Sequence, residues 1–457
     1  MKPVPRSSNV APQRRPAAWR MLSDTATVGG WTVFVKVAGA VKLILCARLF
    51  GAGDAMDAYL IAFLLPSFFA DVLAGPVDGA LIPTLVELRE RRGQAAAEST
   101  YAAVLAAVAA MLLLLVVVAA LASSFLLPFL ASSFSPQKLA LTRRLLLVMI
   151  ASAVFSGISS TWRAVLNSGH RFAIAAAIPT IVPLTCVGGL LLGGKQFGIT
   201  ALALATVVGA MVEAIASAAA VRRAGYSLLP KWSGYTPALR QVVEQYRPLV
   251  AITLVMTGSA FLDQALAARL TAGSVSALNY GTRLLGVLVA IAPTAAGTAV
   301  LPHLSAGALL EQREALRRTL RTYGIFLLAA LLPVIGGLMY FSQPIVRILF
   351  QQGAFTESAT RLVAAVQALS LLQVPAAVLL VLEIRLSSAL KENRILYRVA
   401  GLTLLLTVVL DTLFMRWWGV AGIVLAGLAV RLVSTVYLSC KISGLPPKTL
   451  ESRPSIV

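Results

Sequence analysis

The sequence predicts an all-α polytopic membrane protein of about twelve transmembrane helices, set in two six-helix lobes related by a parallel internal repeat. Three observations predict it. Of 457 residues, 58% are hydrophobic and 12% are charged, about half the charged share of a soluble domain. Apolar runs of about 20 residues or more, long enough to cross a bilayer, recur throughout the chain. Short motifs in the first half return in the second at an offset near 221 residues.

The apolar runs fall at 25–50, 55–85, 98–127, 140–164, 172–193, 197–221, 243–268, 275–304, 321–346, 360–384, 396–415 and 419–440. None shows the alternation of a membrane-spanning strand, so each satisfies its backbone as a helix. With the N-terminus inside, the inner segments carry 26 Lys and Arg and the outer segments nine; four lie within spans. That bias predicts a multi-pass membrane protein with both termini cytoplasmic. It also accounts for the net charge of +21 as topology rather than nucleic-acid binding. The chain then divides into a basic cytoplasmic arm (1–24), a first lobe (25–225), a cytoplasmic linker (226–242), a second lobe (243–442) and a cytoplasmic tail (443–457). The arm is basic and proline-rich, without the apolar core and small-residue cleavage site of a signal peptide. Cys46, Cys186 and Cys440 lie far apart in apolar surroundings and read as small hydrophobes.

The repeat is read from matches in order. Ala47-Arg48-Leu49 returns as Ala268-Arg269-Leu270, and Tyr59 as Tyr280, both at an offset of 221. Ile82-Pro83-Thr84-Leu85 returns as Leu301-Pro302-His303-Leu304 at 219, and Ser133-Phe134-Ser135 as Ala354-Phe355-Thr356 at 221. Six helices per half is an even number, so both halves start on the same side. Parallel repeats about the membrane normal are an architecture of secondary transporters.

Charges inside the spans are the candidate functional groups. A charge at mid-bilayer costs roughly 2.5–3.5 kcal/mol on insertion scales. Lys36 stands about 16 Å into the first span and Lys42 about 9 Å further, at 1.5 Å per residue, too deep for easy snorkelling. Six positions apart, they differ by roughly 120° around the helix, with Gly39 between them. A groove around Gly39 would expose both ammonium groups to a diffuse anion such as a diphosphate; the alternative is neutralisation by Asp71 or Asp78. Arg283, early in the eighth span, suits bidentate phosphate contact, or else anchors the helix at the outer surface. Pro66, Gly75 and Pro76 in the second span, and Pro293 in the eighth, break repeat-related helices at matching places, as hinges of a transport cavity do.

Asp263, Thr407 and Asp411 offer hard oxygen ligands for Na⁺ or a proton path; the alternative is a salt bridge to Arg431 or Lys42. No GxxxxGK[ST] motif is present, so no nucleotide drives the protein. No catalytic group and no other cofactor is indicated. Transport would then be driven by a gradient, with Na⁺ or H⁺ as the candidate coupling ion, by voltage, or by the substrate's own concentration difference.

Four segments carry a family resemblance. LFGAGDAMDAYLIAFLLPSFF (49–69), LDQALAARLTAGSVSALNYGTRL (262–284), AVLPHLS (299–305) and ILFQQGAFTESAT (348–360) resemble the MurJ/MviN family of lipid II flippases. That family belongs to the multidrug/oligosaccharidyl-lipid/polysaccharide exporter superfamily. The resemblance runs from about residue 25 to 440. It implies two six-helix lobes around a cationic cavity that takes the diphosphate and sugars of an undecaprenyl-linked glycan, the tail staying among membrane lipids. Lys36, Lys42 and Arg283 match family arginines, and Asp263, Thr407 and Asp411 resemble a family sodium site. The chain departs at Leu43, where the family has an acidic residue, and at LPSFFAD, where Ala70 and Asp71 replace an arginine. Lysine for arginine also loses the planar fork. The implied function is flipping of lipid II for peptidoglycan synthesis. The alternatives are flipping of an exopolysaccharide or O-antigen unit, cation-coupled drug or metabolite antiport, and a non-transporting scaffold for cell-wall or polysaccharide synthesis enzymes.

Overall fold

The computed structural model describes residues 17–232, 234–289, 313–389 and 393–443. Among them every regular element is a helix. The first half holds α1 (Ala17–Phe50), α2 (Asp54–Phe69), α3 (Val77–Arg92), α4 (Gln94–Leu130), α5 (Pro136–Met149), α6 (Ala151–Ser168), α7 (Phe172–Ala177), α8 (Ile181–Phe197) and α9 (Ile199–Arg223). The second holds α10 (Pro237–Ala267), α11 (Ser274–Gly281), α12 (Arg313–Tyr340), α13 (Ser342–Phe350), α14 (Glu357–Leu371), α15 (Val374–Ala389) and α16 (Asn393–Ser443).

Seven helical stretches among the described residues are long and apolar enough to cross a membrane, or nine if two bent pairs each count as one span. α12 and α13 bend by 63° and α14 and α15 by 43°. The expected eighth span is helical again at 283–289, and Pro293 lies outside the described residues.

The second expected span is one helical stretch, Asp54–Arg92, with a π-helical turn just before Gly75 and Pro76. α2 runs straight through Pro66 and passes into a π-helical turn, Ala70–Ala74. The Gly75 amide closes that turn on the Ala70 carbonyl at 3.3 Å, and α3 follows Pro76.

The internal repeat is visible in the backbone. Gly198 ends α8 at φ 54°, ψ −135°, and Gly419 splits α16 at φ 56°, ψ −132°. They stand 221 residues apart, and a left-handed φ is a conformation only glycine adopts cheaply. Ser135 and Thr356, also 221 apart, both cap helices: their hydroxyls accept the Lys138 and Ala359 amides at 3.3 Å. Contacts between the halves follow the same register. The Ala354 amide donates to the Arg48 carbonyl at 2.9 Å, and the Ser133 hydroxyl donates to the Ala268 carbonyl at 2.7 Å.

The largest apolar core lies at the end of the bundle where α1 finishes. It joins Ala47, Tyr59, Leu146 and Leu202 of the first half to Leu266, Tyr280, Phe350 and Phe355 of the second. A separate core, mostly of the first half, centres on Leu81, Tyr101 and Val221 and takes in Leu239 and Val242 of α10. Leu121, Phe125 and Leu192 stand almost fully exposed on the outside, as side chains that meet lipid do.

Candidate functional site

Lys42 is half-buried, its ammonium 5.9 Å from the Tyr59 ring centroid. Tyr59 is buried and its hydroxyl is 2.9 Å from Thr206 Oγ1, which fixes the ring against α9. One turn after Lys42, the buried Cys46 thiol lies within electrostatic reach of both Lys42 and Arg283. The Arg283 guanidinium donates to Asn279 Oδ1 at 2.9 Å, one turn earlier. Lys42 of the first half and Arg283 of the second therefore share Cys46 as a neighbour in electrostatic reach. Neither has a carboxylate partner among the described residues; Lys42 is half-buried and Arg283 is exposed.

Lys36 stands apart. It is exposed and lines a pocket of about 470 Å³ with Thr32, Asn167, Phe172 and Pro179. Gly39 faces open space, with nothing within 4 Å of where a Cβ would sit. Asp71 and Asp78 form no ion pair with either lysine.

A second feature was not singled out in the sequence. Asp57, on the first turn of α2, is 1% exposed. It receives the Gly273 amide at 2.7 Å, the Ser276 amide at 2.9 Å, the Ser276 hydroxyl, and the Lys138 ammonium at 3.0 Å. Lys138 also pairs with Asp54 at 2.6 Å. Asp57 thus caps α11 of the other half, and with Lys138 closes this end of the bundle. Gly273, at φ 85°, passes so close that a Cβ would meet the Ala52 carbonyl at 2.6 Å. The clue in the sequence is Asp54 and Asp57 beside an apolar run, with Lys138 in the connection between the third and fourth expected spans.

Asp263 and Thr407 line a cavity of about 370 Å³ between α10, α15 and α16, and Asp411 lies behind them beside Asp263. Asp411 is 0% exposed and neither carboxylate oxygen has a hydrogen-bond donor, while Asp263 faces it. The expected alternative, a salt bridge to Arg431, is not formed: Arg431 Nε donates to Gln373 Oε1 at 2.9 Å. Among the described residues, no group of three or more His, Cys, Asp or Glu is placed to hold a metal ion. Any ion here would rest on two carboxylates and hydroxyl oxygens, a donor set that fits an alkali cation.

Inside the first half a further ion pair is buried. Arg163 pairs with Glu213, which also accepts from Ser159 at 3.1 Å. Ser159 in turn lies 2.7 Å from Ser217.

The fold and these interior charges define a polytopic membrane protein of two repeated halves with a cationic centre between them. A model of the lipid II flippase MurJ family matches residues 46–443, and the chain belongs to that family of transporters. It is 26% identical to a lipid II flippase MurJ of Burkholderia cenocepacia over 74% of this chain and 67% of that protein. It is 27% identical to a probable lipid II flippase MurJ of Rhizobium tropici over 78% and 68%. A solved lipid II flippase MurJ in an inward closed conformation superposes with a TM-score of 0.79 at 21% identity, covering 92% of this chain and 88% of that one. A multidrug MATE transporter in an inward-facing conformation gives 0.71 at 15% identity, over 90% and 94%.

Proposed function

We propose that this protein flips lipid II, an undecaprenyl-diphosphate-linked glycan, across the bacterial inner membrane by alternating access. The observation that carries the reading is the meeting of Lys42 and Arg283 beside Cys46 without a carboxylate partner. Two cations from different halves, one half-buried and one exposed, are a receptor for a diphosphate. Lys36, roughly 9 Å away along α1, adds charge on the way to the exposed pocket. Gly39 leaves α1 open between them. A drug antiporter's cationic cargo would be repelled here.

The glycan diphosphate sits between the halves on Lys42 and Arg283 while its tail stays in lipid. The π-helical turn with Gly75 and Pro76, and Pro66 before it, supply the bend through which α2 and α3 move against each other. The clamp at Asp57 closes the periplasmic end, given cytoplasmic termini and lobes at 25–225 and 243–442. It must open for release. A monovalent cation fits between Asp263, Asp411 and Thr407, where Asp411's two oxygens lack donors. When bound, it supplies a charge whose gradient biases the direction of the cycle. The basic arm and linker face the cytoplasm, where enzymes that make the precursor work.

Expression in a Gram-negative host depleted of its own lipid II flippase tests the reading. Growth is expected to be rescued by the wild-type chain and lost with Lys42→Ala or Arg283→Ala at equal membrane abundance. No rescue by well-expressed wild type would overturn lipid II as the substrate and leave another lipid-linked glycan.

A further inference from the structure

The cavity between α10, α15 and α16 holds one more charge than its ion reading uses. Arg431 lines it together with Asp263, Thr403, Thr407 and Ser434. Its Nε is held by Gln373 at 2.9 Å, and Gln373 Nε2 is in turn tied to the Val424 carbonyl at 2.7 Å. Gln373 is 4% exposed and sits against Gly427, where a Cβ would stand 3.2 Å from its amide nitrogen. The arginine is therefore latched by a buried, backbone-anchored amide. It is in electrostatic reach of Asp263 yet forms no ion pair with either carboxylate.

The charges decide what such a site accepts. Two carboxylates alone carry two negative charges and, with a hydroxyl and waters, suit a hard divalent cation. The latched guanidinium cannot be deprotonated, so it removes one of them permanently. A single monovalent charge then neutralises the cavity. A divalent ion would leave one positive charge in excess inside the membrane, where an uncompensated charge is costly.

We propose that Arg431 is the specificity-determining residue of this site: it sets the net charge so that one monovalent cation binds and a divalent cation is rejected. This rests on the ion reading of Asp263, Thr407 and Asp411 given above. Arg431 touches neither the cation nor the glycan; it acts through the field it imposes on Asp263 and Asp411, held at its distance by Gln373.

The test is thermal unfolding of the purified full-length chain in detergent, with NaCl or CaCl₂ against choline chloride at matched ionic strength. Wild type and Arg431→Lys are expected to show no calcium-specific stabilisation. Arg431→Gln is expected to gain an upward shift of about 3 °C or more at millimolar CaCl₂, the size of shift a bound ion gives. Adding Asp411→Asn to Arg431→Gln should abolish it. Arg431→Met, which keeps the apolar stem, is read the same way if the glutamine variant does not accumulate. A calcium response already present in wild type, or none gained by either neutral variant, overturns the proposal. Failure of wild type to respond to NaCl removes sodium as the coupling ion. A calcium response confined to the neutral variants would still uphold the charge-setting role, with a proton as the monovalent charge.

Discussion

Asp57→Ala should open the end of the bundle that Asp57 closes. The carboxylate accepts two amides of the other half and one buried ammonium. Its loss orphans the Gly273 and Ser276 amides, each at about 1–3 kcal/mol. It also leaves Lys138, whose side chain is 7% exposed, with only the largely exposed Asp54, and breaking a buried pair costs roughly 3–5 kcal/mol. Asp54 offsets part of that second cost, so a net loss of about 4–6 kcal/mol is expected. At 1.4 kcal/mol per factor of ten, the ratio of open to closed rises by roughly 10³–10⁴. Hydrogen–deuterium exchange of the purified protein reads this directly. Amides 270–281 should lose protection by about that factor while amides in the first-half core around Leu81 keep theirs. Asp57→Asn, which keeps an acceptor for Ser276 but faces Lys138 without charge, should fall between. Pairing it with Lys138→Met should recover part of the loss. Protection of 270–281 within tenfold of wild type in Asp57→Ala would refute the reasoning.

Gly198→Ala and Gly419→Ala should each cost about 1–3 kcal/mol, because both hold a left-handed φ; similar losses in thermal unfolding would reflect the shared register of the two halves. Arg163→Met should destabilise the first half by about 3–5 kcal/mol by stranding Glu213, whose side chain is 8% exposed. Adding Glu213→Gln should return most of that in the same unfolding assay. Lys42→Arg should keep rescue of the depleted host, since charge and reach survive, whereas Lys42→Met should lose it at least tenfold in plating efficiency.

The clamp and the cationic centre are built by the same elements. Tyr280 of α11 donates to the Gly51 carbonyl at 3.2 Å and packs on Phe350 and Phe355, and the chain leads directly from it to Arg283. On the proposed function, opening the clamp would move Arg283 relative to Lys42 and so couple release of cargo to opening of the exit.

Helix content, the two halves and the identity of the interior cations were legible along the chain. Each depends on local quantities: twenty-residue hydropathy, a recurring register, a charge flanked by apolar neighbours. The structure adds Gly198 and Gly419 at the same 221-residue offset, because a repeat carries its turn chemistry with it. Three-dimensional packing alone decided the partners. Lys36 and Lys42 read as one pair, yet α1 points them to different surroundings, and Lys42's companion is Arg283 from the other half. Asp57 looked like an ordinary first-turn acid until α11 was seen to end upon it. Arg431 read as a counter-ion for Asp263, but Gln373, 58 residues earlier, takes its hydrogen bond. A hydrogen bond or an ion pair depends on angstroms between elements far apart in sequence, and local composition carries no record of that distance.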